Sequence, residues 1–86
     1  MEVNDIVYYA RIIPVCDIYE VCELRVRTSD NNWFSGIDSH DKHVYCFSIS
    51  DIENNVFYNR SDALEKVKEA EKNRKFIKES ESYYED

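Results

Sequence analysis

The hydrophobic period of this chain changes once, close to Asn59, and that change limits the folds open to it. Before Asn59, short runs rich in Val, Ile, Tyr and Phe alternate between apolar and polar residues, a pattern typical of half-buried β-strands. After Asn59, apolar residues recur every three or four positions, at Ala63, Val67 and Ala70, which indicates an amphipathic helix. The sequence therefore predicts a β-rich body followed by a single helix.

Five strand-like segments precede Asn59, separated by turn sequences at intervals of about 8–12 residues. The clearest segment covers residues 18–28, where Cys22, Leu24 and Val26 share one face. Gly36 lies inside the third segment and predicts a bulge or a close approach of two backbones. The segment "SDIENN" predicts a loop or a single helical turn before the shortest strand. With one Gly and one Pro, the turns must rely on Asn, Asp and Ser.

A chain of 86 residues has room for one domain. The predicted fold class is mostly β with one C-terminal α-helix, arranged as a small five-stranded SH3-like barrel. An OB-type barrel is the alternative, and it is less favoured because its strands are usually longer and its helix is usually inserted mid-chain. The predicted domain covers residues 1–78, with the helix over about 60–78, and residues 79–86 are expected to form an acidic, flexible tail.

The formal net charge of −7 argues against unaided binding to duplex DNA, where cationic contacts with phosphate supply most of the affinity. Such acidity suits a basic partner surface. The N-terminus lacks the features of a signal peptide, and no apolar stretch approaches the roughly 20 residues of a membrane span. We therefore expect a cytoplasmic protein with free thiols. Cys22 and Cys46 lie inside apolar strand patterns and are predicted to be small core residues.

The segment "GIDSHDKHVYCF", residues 36–47, brings together two His, two Asp and one Cys. His40, His43 and Cys46 offer ligands that zinc accepts in a tetrahedral site. If residues 43–48 form a strand, however, His43 and Cys46 point to opposite faces, because side chains alternate along a strand. The segment is therefore predicted to be a polar hairpin turn, with no metal.

The sequence contains no signature of a catalytic site. There is no nucleophile elbow, and a single glycine cannot form a glycine-rich phosphate loop. The paired carboxylates of Asp38 and Asp41 fall in a predicted turn, where solvated acids are ordinary. A preorganised pocket is also hard to build in so small a domain. We therefore expect no enzymatic activity, no catalytic residues and no cofactors.

An alternative function is that of a small barrel that reads single-stranded nucleic acid or a peptide. Bases stack on exposed aromatic rings, and the candidate rings are Tyr8, Tyr9, Tyr19, Trp33, Phe34 and Tyr45. A basic strip would combine Arg25, Arg27, Lys68, Lys72 and Lys75. The competing interpretation is that so small a domain needs these rings for its core and that the cations pair with nearby acids. The sequence favours that interpretation.

Protein binding fits the sequence best. Acids in the predicted turns would form a patch that suits a cationic partner, with Trp33 as an aromatic anchor if it is exposed. The predicted contact residues are Asp30, Trp33, Asp38, Asp41, Asp51 and Glu53. Reversing Asp38 and Asp41 to lysine is expected to weaken binding without unfolding the domain. A third interpretation is an assembly protein that pairs through a strand edge, so the expected state is a monomer or a weak homodimer.

The order of features from "DIVYYARI" to "SDIENNVFYNRSDALEKVKEAE" resembles that of small SH3-like barrel proteins from phages, plasmids and integrative elements of Firmicutes. The likeness covers roughly residues 5–72. It is most specific at "DIENNVFYNRSDALEKV", where Asp51-Ile52, Val56-Phe57 and the helix start fall in the expected order. The chain departs from the pattern at "ENN", where a glycine-containing turn is usual, and at the helix cap, where Thr is more familiar than Asn.

The resemblance implies a biological context. Small acidic proteins of mobile elements often bind a host protein, and one class of them, which includes anti-CRISPR proteins, inhibits bacterial defence systems. Those inhibitors often use acidic surfaces to occupy a site meant for nucleic acid. The resemblance therefore implies a host protein as partner, such as a basic nucleic-acid-binding effector, in the cytoplasm of a bacterial host cell. The lack of a long apolar stretch separately predicts no membrane contact. It carries over no catalytic or ligand residues.

Overall fold

The chain folds into five β-strands and one helix, in the order that the sequence predicts. The computed structural model describes the backbone of residues 1–85 and the side chains of residues 1–73. The elements are β1 (Ile6–Ile13), β2 (Ile18–Ser29), β3 (Trp33–Asp38), β4 (Val44–Ser48), β5 (Val56–Phe57) and α1 (Arg60–Glu85). Two short 3₁₀ turns, Pro14–Cys16 and Ile49–Asp51, follow β1 and β4. The second of them is the helical turn that "SDIENN" predicts.

All five strands belong to one antiparallel sheet in the order β4-β3-β2-β1-β5, and this sheet curls into a half-barrel. The predicted fold class, mostly β with five strands and one C-terminal helix, is confirmed. α1 follows all the strands rather than interrupting them. The predicted flexible tail, residues 79–86, lies where the side chains fall outside the described residues, so it stays a prediction.

Each face of the sheet carries a hydrophobic cluster. The inner face is the one that bears Val7, Cys22, Leu24, Val26, Phe34, Phe47 and Val56. On the outer face, Ala63 and Val67 of α1 pack with Ala10 and Phe57. α1 contacts mainly β1, β2 and β5, and the outer-face residues Trp33 of β3 and Val44 of β4 remain exposed. The helix therefore covers one half of the outer face.

Gly36 lies where β2 and β3 approach closely. A Cβ atom built on Gly36 would lie 3.0 Å from the Cβ of Leu24. The register between the two strands also shifts between Val26 and Thr28, close to Gly36. Such a bulge increases the local twist of a strand, which helps a sheet to curl. The predicted bulge or close backbone approach at this glycine is confirmed.

The variant Gly36→Ala should lower the free energy of unfolding by about 1–2 kcal/mol, because it inserts a methyl group into a filled space. Leu24 is fully buried, so its Cβ cannot retreat without disturbing the inner cluster. The φ angle of Gly36 is not positive, so alanine adds crowding but no backbone strain. Urea unfolding measures the loss, with Ser35→Ala as the neighbouring control. An equal loss in both variants would contradict the close approach.

Four residues in the described part of the chain adopt a left-handed backbone conformation, and none of them is glycine. They are Asn4 (φ 77°), Asp17 (φ 58°), Lys42 (φ 65°) and Glu53 (φ 68°). Asn and Asp tolerate this conformation, in line with the predicted use of such residues in the turns. Lys and Glu tolerate it less well, so each of these two turns costs about 1 kcal/mol of backbone strain.

Candidate functional site

Trp33 opens β3 on the outer face of the sheet, and 58% of its surface is exposed. The carboxylate of Asp30 fixes the preceding turn, because its Oδ1 accepts the N–H groups of Asn32 and Trp33, both at 2.8 Å. The N–H of Trp33 and then that of Asn32 hold the pKa of Asp30 below its usual value. An exposed indole therefore stands beside a carboxylate that is ionised at neutral pH.

The 3₁₀ turn Ile49–Asp51 lies next to the Asp30 turn. Trp33 pairs with Ser48 across β3 and β4, and a backbone hydrogen bond of 2.9 Å joins the two turns. The Oδ2 atom of Asp51 accepts the N–H of Ser48 at 3.1 Å, and the exposed Glu53 follows two residues later. The residues that share this end of the sheet, here called the Trp33 end, are Asp30, Trp33 and Asp51. Glu53 lies apart from them, because its N–H donates to the carbonyl of Val56 at 2.8 Å and it lines a groove beside α1 with Asp62 and Glu65.

Asp38 and Asp41 lie at the opposite end of β3, and their environments differ. Asp38 is the last residue of β3, and only 6% of its surface is exposed. Its Oδ1 atom accepts the N–H groups of His40 at 2.7 Å and of Asp41 at 3.3 Å. Burial alone would raise the pKa of Asp38, but these hydrogen bonds hold it below its usual value. Asp41 is exposed, and its Oδ1 accepts the N–H of His43 at 2.9 Å.

The predicted contact residues therefore do not form one acidic patch. Asp30, Trp33 and Asp51 share one end of the sheet, Asp38 and Asp41 lie at the other end of β3, and Glu53 lies beside α1. A strand rises about 3.3 Å per residue, so the two ends of β3 are roughly 17 Å apart. Asp38 is also a buried strand residue and not a solvated acid of a turn, because it alternates with Gly36 and Phe34 onto the inner face. Asp38→Lys would remove the carboxylate that accepts the N–H groups of the turn. The charge reversal of Asp38 would therefore change stability as well as binding.

The histidines and Cys46 do not gather at one point. The ring of His43 lies 4.6 Å from the ring of Tyr45, centroid to centroid, whereas Cys46 points to the other face of β4. In the part of the chain that the structure describes, no three His, Cys, Asp or Glu side chains form a group that could hold a metal ion. The prediction of Cys46 as a core residue is wrong, because its side chain is exposed on the uncovered outer face. The same prediction for Cys22 is confirmed.

Most of the candidate stacking rings are used in packing. Tyr9 contacts the rings of Tyr45 and Phe47 edge-on, and Phe34 stacks on Phe47. Tyr8 and Tyr19 pack beside α1 on the outer face. Trp33 alone among the six candidates has more than half of its surface exposed. The described cations of the predicted basic strip, Arg25, Arg27, Lys68 and Lys72, are exposed, and the side chain of Lys75 lies outside the described residues.

The sequence does not predict a cavity of about 490 Å³ that lies beside β2. Its lining includes Glu20, Val21, Glu23, Asp38, Asp41 and Arg60. The cavity exists because β2 has twelve residues and β3 only six, so the longer strand extends past its neighbour. The sequence shows that β2 is longer than β3. It does not show the register between them, and that register determines which half of β2 is left without a partner.

Cys22 should react with a thiol reagent far more slowly than Cys16 and Cys46. Cys22 is buried, and burial, followed by the charges of Glu20 and Asp38, raises the pKa of its thiol to about 12. At pH 8 its reactive thiolate is therefore roughly one part in ten thousand. Cys16 and Cys46 are exposed. Alkylation followed by mass spectrometry should label these two in the folded protein and all three in urea. Equal labelling of the three without urea would contradict this arrangement.

Comparisons with protein-family models, with curated proteins and with solved structures found no match for this chain. Within the described residues, no helix has the length and apolar character needed to cross a membrane. The candidate sites are therefore defined by geometry alone: the Trp33 end of the sheet and the acidic cavity beside β2.

Proposed function

We propose that this chain is a non-enzymatic protein-binding module that contacts a cationic surface of its partner with the Trp33 end. The observation that carries the proposal is the 58% exposure of Trp33 in a turn that Asp30 holds in place. Tryptophan is enriched among the residues that dominate binding energy, since its large ring buries much area at a small entropic cost. A rigid turn lowers that cost further.

The charge around Trp33 supports a cationic partner. Asp30 and Asp51 lie in the two turns of the Trp33 end, and the whole chain has a net charge of −7. Opposite charge speeds the encounter of two proteins and disfavours partners of the same sign. The same charge disfavours nucleic acid, and most aromatic rings that bases would stack on are packed within the protein. Protein binding is therefore the function that these residues support best.

The resemblance to proteins of Firmicutes phages and mobile elements makes the proposal more specific. In that context the partner is a host protein in the bacterial cytoplasm, and the sharper form is an inhibitor of a defence effector such as a CRISPR nuclease. A nucleic-acid-binding effector carries a basic surface, and an acidic protein with a fixed aromatic anchor can compete for it. No metal, cofactor or catalytic residue takes part in this function.

A tagged pull-down from a Firmicutes lysate, treated with nuclease, tests the proposal. The tagged protein should retain a host protein, and Trp33→Ala should lose it. Val15→Ala should retain it, because Val15 is a 94% exposed apolar residue in the β1–β2 connection and serves as the matched control. Retention by Trp33→Ala would overturn the Trp33 end as the contact. Capture that disappears with nuclease would indicate the nucleic-acid reader instead, and sedimentation at two concentrations would detect self-assembly.

A further inference from the structure

The first half of β2 has a partner strand on one side only. Residues 18–25 of β2 pair with β1, whereas pairing with β3 begins at Leu24 and continues to Ser29. Among the described residues, no strand continues the line of β3 beside residues 18–23 of β2. This half of β2 is therefore an open sheet edge inside the fold, and it is the edge that borders the 490 Å³ cavity.

Backbone hydrogen bonds establish which groups face this open edge. The N–H of Val26 donates to the carbonyl of Asp5 at 2.8 Å, and its carbonyl accepts from Asn4 at 2.7 Å, both on the β1 side. Because successive residues of a strand alternate, Val21 and Glu23 direct their backbone groups to the opposite side. The carbonyl of Glu23 does accept the N–H of Ser39 there, at 3.1 Å. Within residues 20–23, the groups left facing the open edge are the N–H of Glu23 and both groups of Val21.

The side chains around the open edge are mainly acidic. Glu20 lies on the inner side of β2, Glu23 lies on the outer side, and Asp41 lies at the end where the β3–β4 turn closes the cavity. Among the residues whose side chains the structure describes, Arg60, at the start of α1, is the one arginine or lysine that lines the cavity. Glu20 also pairs with Arg11 of β1 at 2.7 Å, across the paired side of β2. An added strand, whose side chains alternate, would meet a carboxylate on each face.

We propose that the open edge of β2 binds an extended, lysine- or arginine-rich segment of a protein by strand addition. Main-chain hydrogen bonds to Val21 and Glu23 would supply affinity, and the carboxylates of Glu20, Glu23 and Asp41 would select cationic side chains. This site lies at the opposite end of β3 from Trp33. The proposal for this site can therefore be tested independently of the function proposed for the Trp33 end.

An eight-residue peptide of alternating lysine and valine, with blocked ends, is the probe. Titration into the full-length, isotope-labelled protein should shift the amide signals of Val21 and Glu23 and protect them from hydrogen exchange. A peptide with methyl groups on alternate backbone nitrogens keeps the charge but cannot pair as a strand. It should bind at least about tenfold more weakly, since several backbone hydrogen bonds are lost. A peptide of alternating glutamate and valine should not bind.

Two variants with the same change of charge complete the test. Glu23→Lys should weaken binding of the lysine peptide about tenfold, whereas Glu65→Lys, on the exposed surface of α1, should leave it unchanged. Equal binding of the N-methylated peptide, or no shift at Val21 and Glu23, would overturn strand addition. Shifts confined to the Trp33 indole would assign the peptide to the Trp33 end. Absence of binding by the lysine peptide would also overturn the proposal.

Discussion

Phe34→Ala should lower the free energy of unfolding by about 3–5 kcal/mol, whereas Trp33→Ala should change it by less than about 0.5 kcal/mol. The two aromatic residues are adjacent in β3, but their side chains point to opposite faces. Phe34 is 2% exposed and stacks on Phe47 within the inner cluster, while Trp33 is mostly exposed. A small domain has only about 5–15 kcal/mol of total stability, so the loss of Phe34 removes a large part of it.

Urea unfolding followed by circular dichroism measures both changes without relying on the tryptophan signal. A second substitution, Phe34→Leu, keeps most of the buried volume and should cost clearly less than alanine. If Trp33→Ala destabilised the protein as much as Phe34→Ala, the indole would be part of the core. That result would remove the basis of the Trp33 end as a binding surface. The expected result leaves a large exposed aromatic residue that folding does not require.

Asp38→Ala should cost about 2–3 kcal/mol of stability, because the N–H groups of His40 and Asp41 lose their buried acceptor. Asp41→Ala is the matched control, and its cost should stay below about 1 kcal/mol, since Asp41 is exposed and accepts one backbone N–H, that of His43. Thermal unfolding at pH 7 compares the two variants. Equal losses of stability would show that the buried hydrogen bonds of Asp38 contribute no more than the exposed hydrogen bond of Asp41.

The pH dependence of stability gives a second measure of Asp38. Its pKa in the folded protein lies below the usual value of 3.8, so its ionised form stabilises the fold. That contribution is fully present above the unfolded-state pKa and disappears as the pH falls through the lower, folded-state pKa. Stability should therefore drop below about pH 4, and Asp38→Asn should make the drop shallower. Some slope should remain, because the pKa of Asp30 is lowered in the same way. An unchanged slope in Asp38→Asn would contradict this assignment.

The strands and the helix could be predicted because each follows from a local pattern. Alternation along residues 18–28 already places Cys22, Leu24 and Val26 on one face, and the structure buries all three. The change of period at Asn59 likewise precedes the observed start of α1 at Arg60. Such elements depend on side chains that are near neighbours in the chain, so their prediction needs no knowledge of tertiary contacts.

Two predictions about single side chains failed because they depend on what covers each face. Cys46 alternates correctly with Phe47, but α1 covers the other half of the outer face, so the thiol remains exposed. The sequence predicts Asp38 to be a turn residue, because the polar residues Ser39 and His40 follow it. Continuing the alternation from Phe34 by four residues would have placed Asp38 on the buried face. The alternation that places Asp38 on the buried face was therefore present in the sequence, although the polar composition of the following turn obscured it.

The location of the binding surfaces could not be derived from the sequence. Acids in separate turns look equivalent until the register assigns Asp30 to one end of β3 and Asp41 to the other. The open edge of β2 depends in the same way on where pairing with β3 begins, at Leu24. Strand register is a property of several chain segments together, and one sequence pattern at a time does not determine it.

The left-handed conformations of Lys42 and Glu53 bear on how this chain can evolve. Glycine or asparagine at either position would relieve strain, and neutral drift should favour that replacement wherever the turn serves only the fold. Lys42 neighbours the acidic cavity, and Glu53 lines a groove beside α1 with Asp62 and Glu65. If related proteins keep lysine and glutamate at these positions despite the backbone strain, the side chains of both residues make contacts that selection maintains.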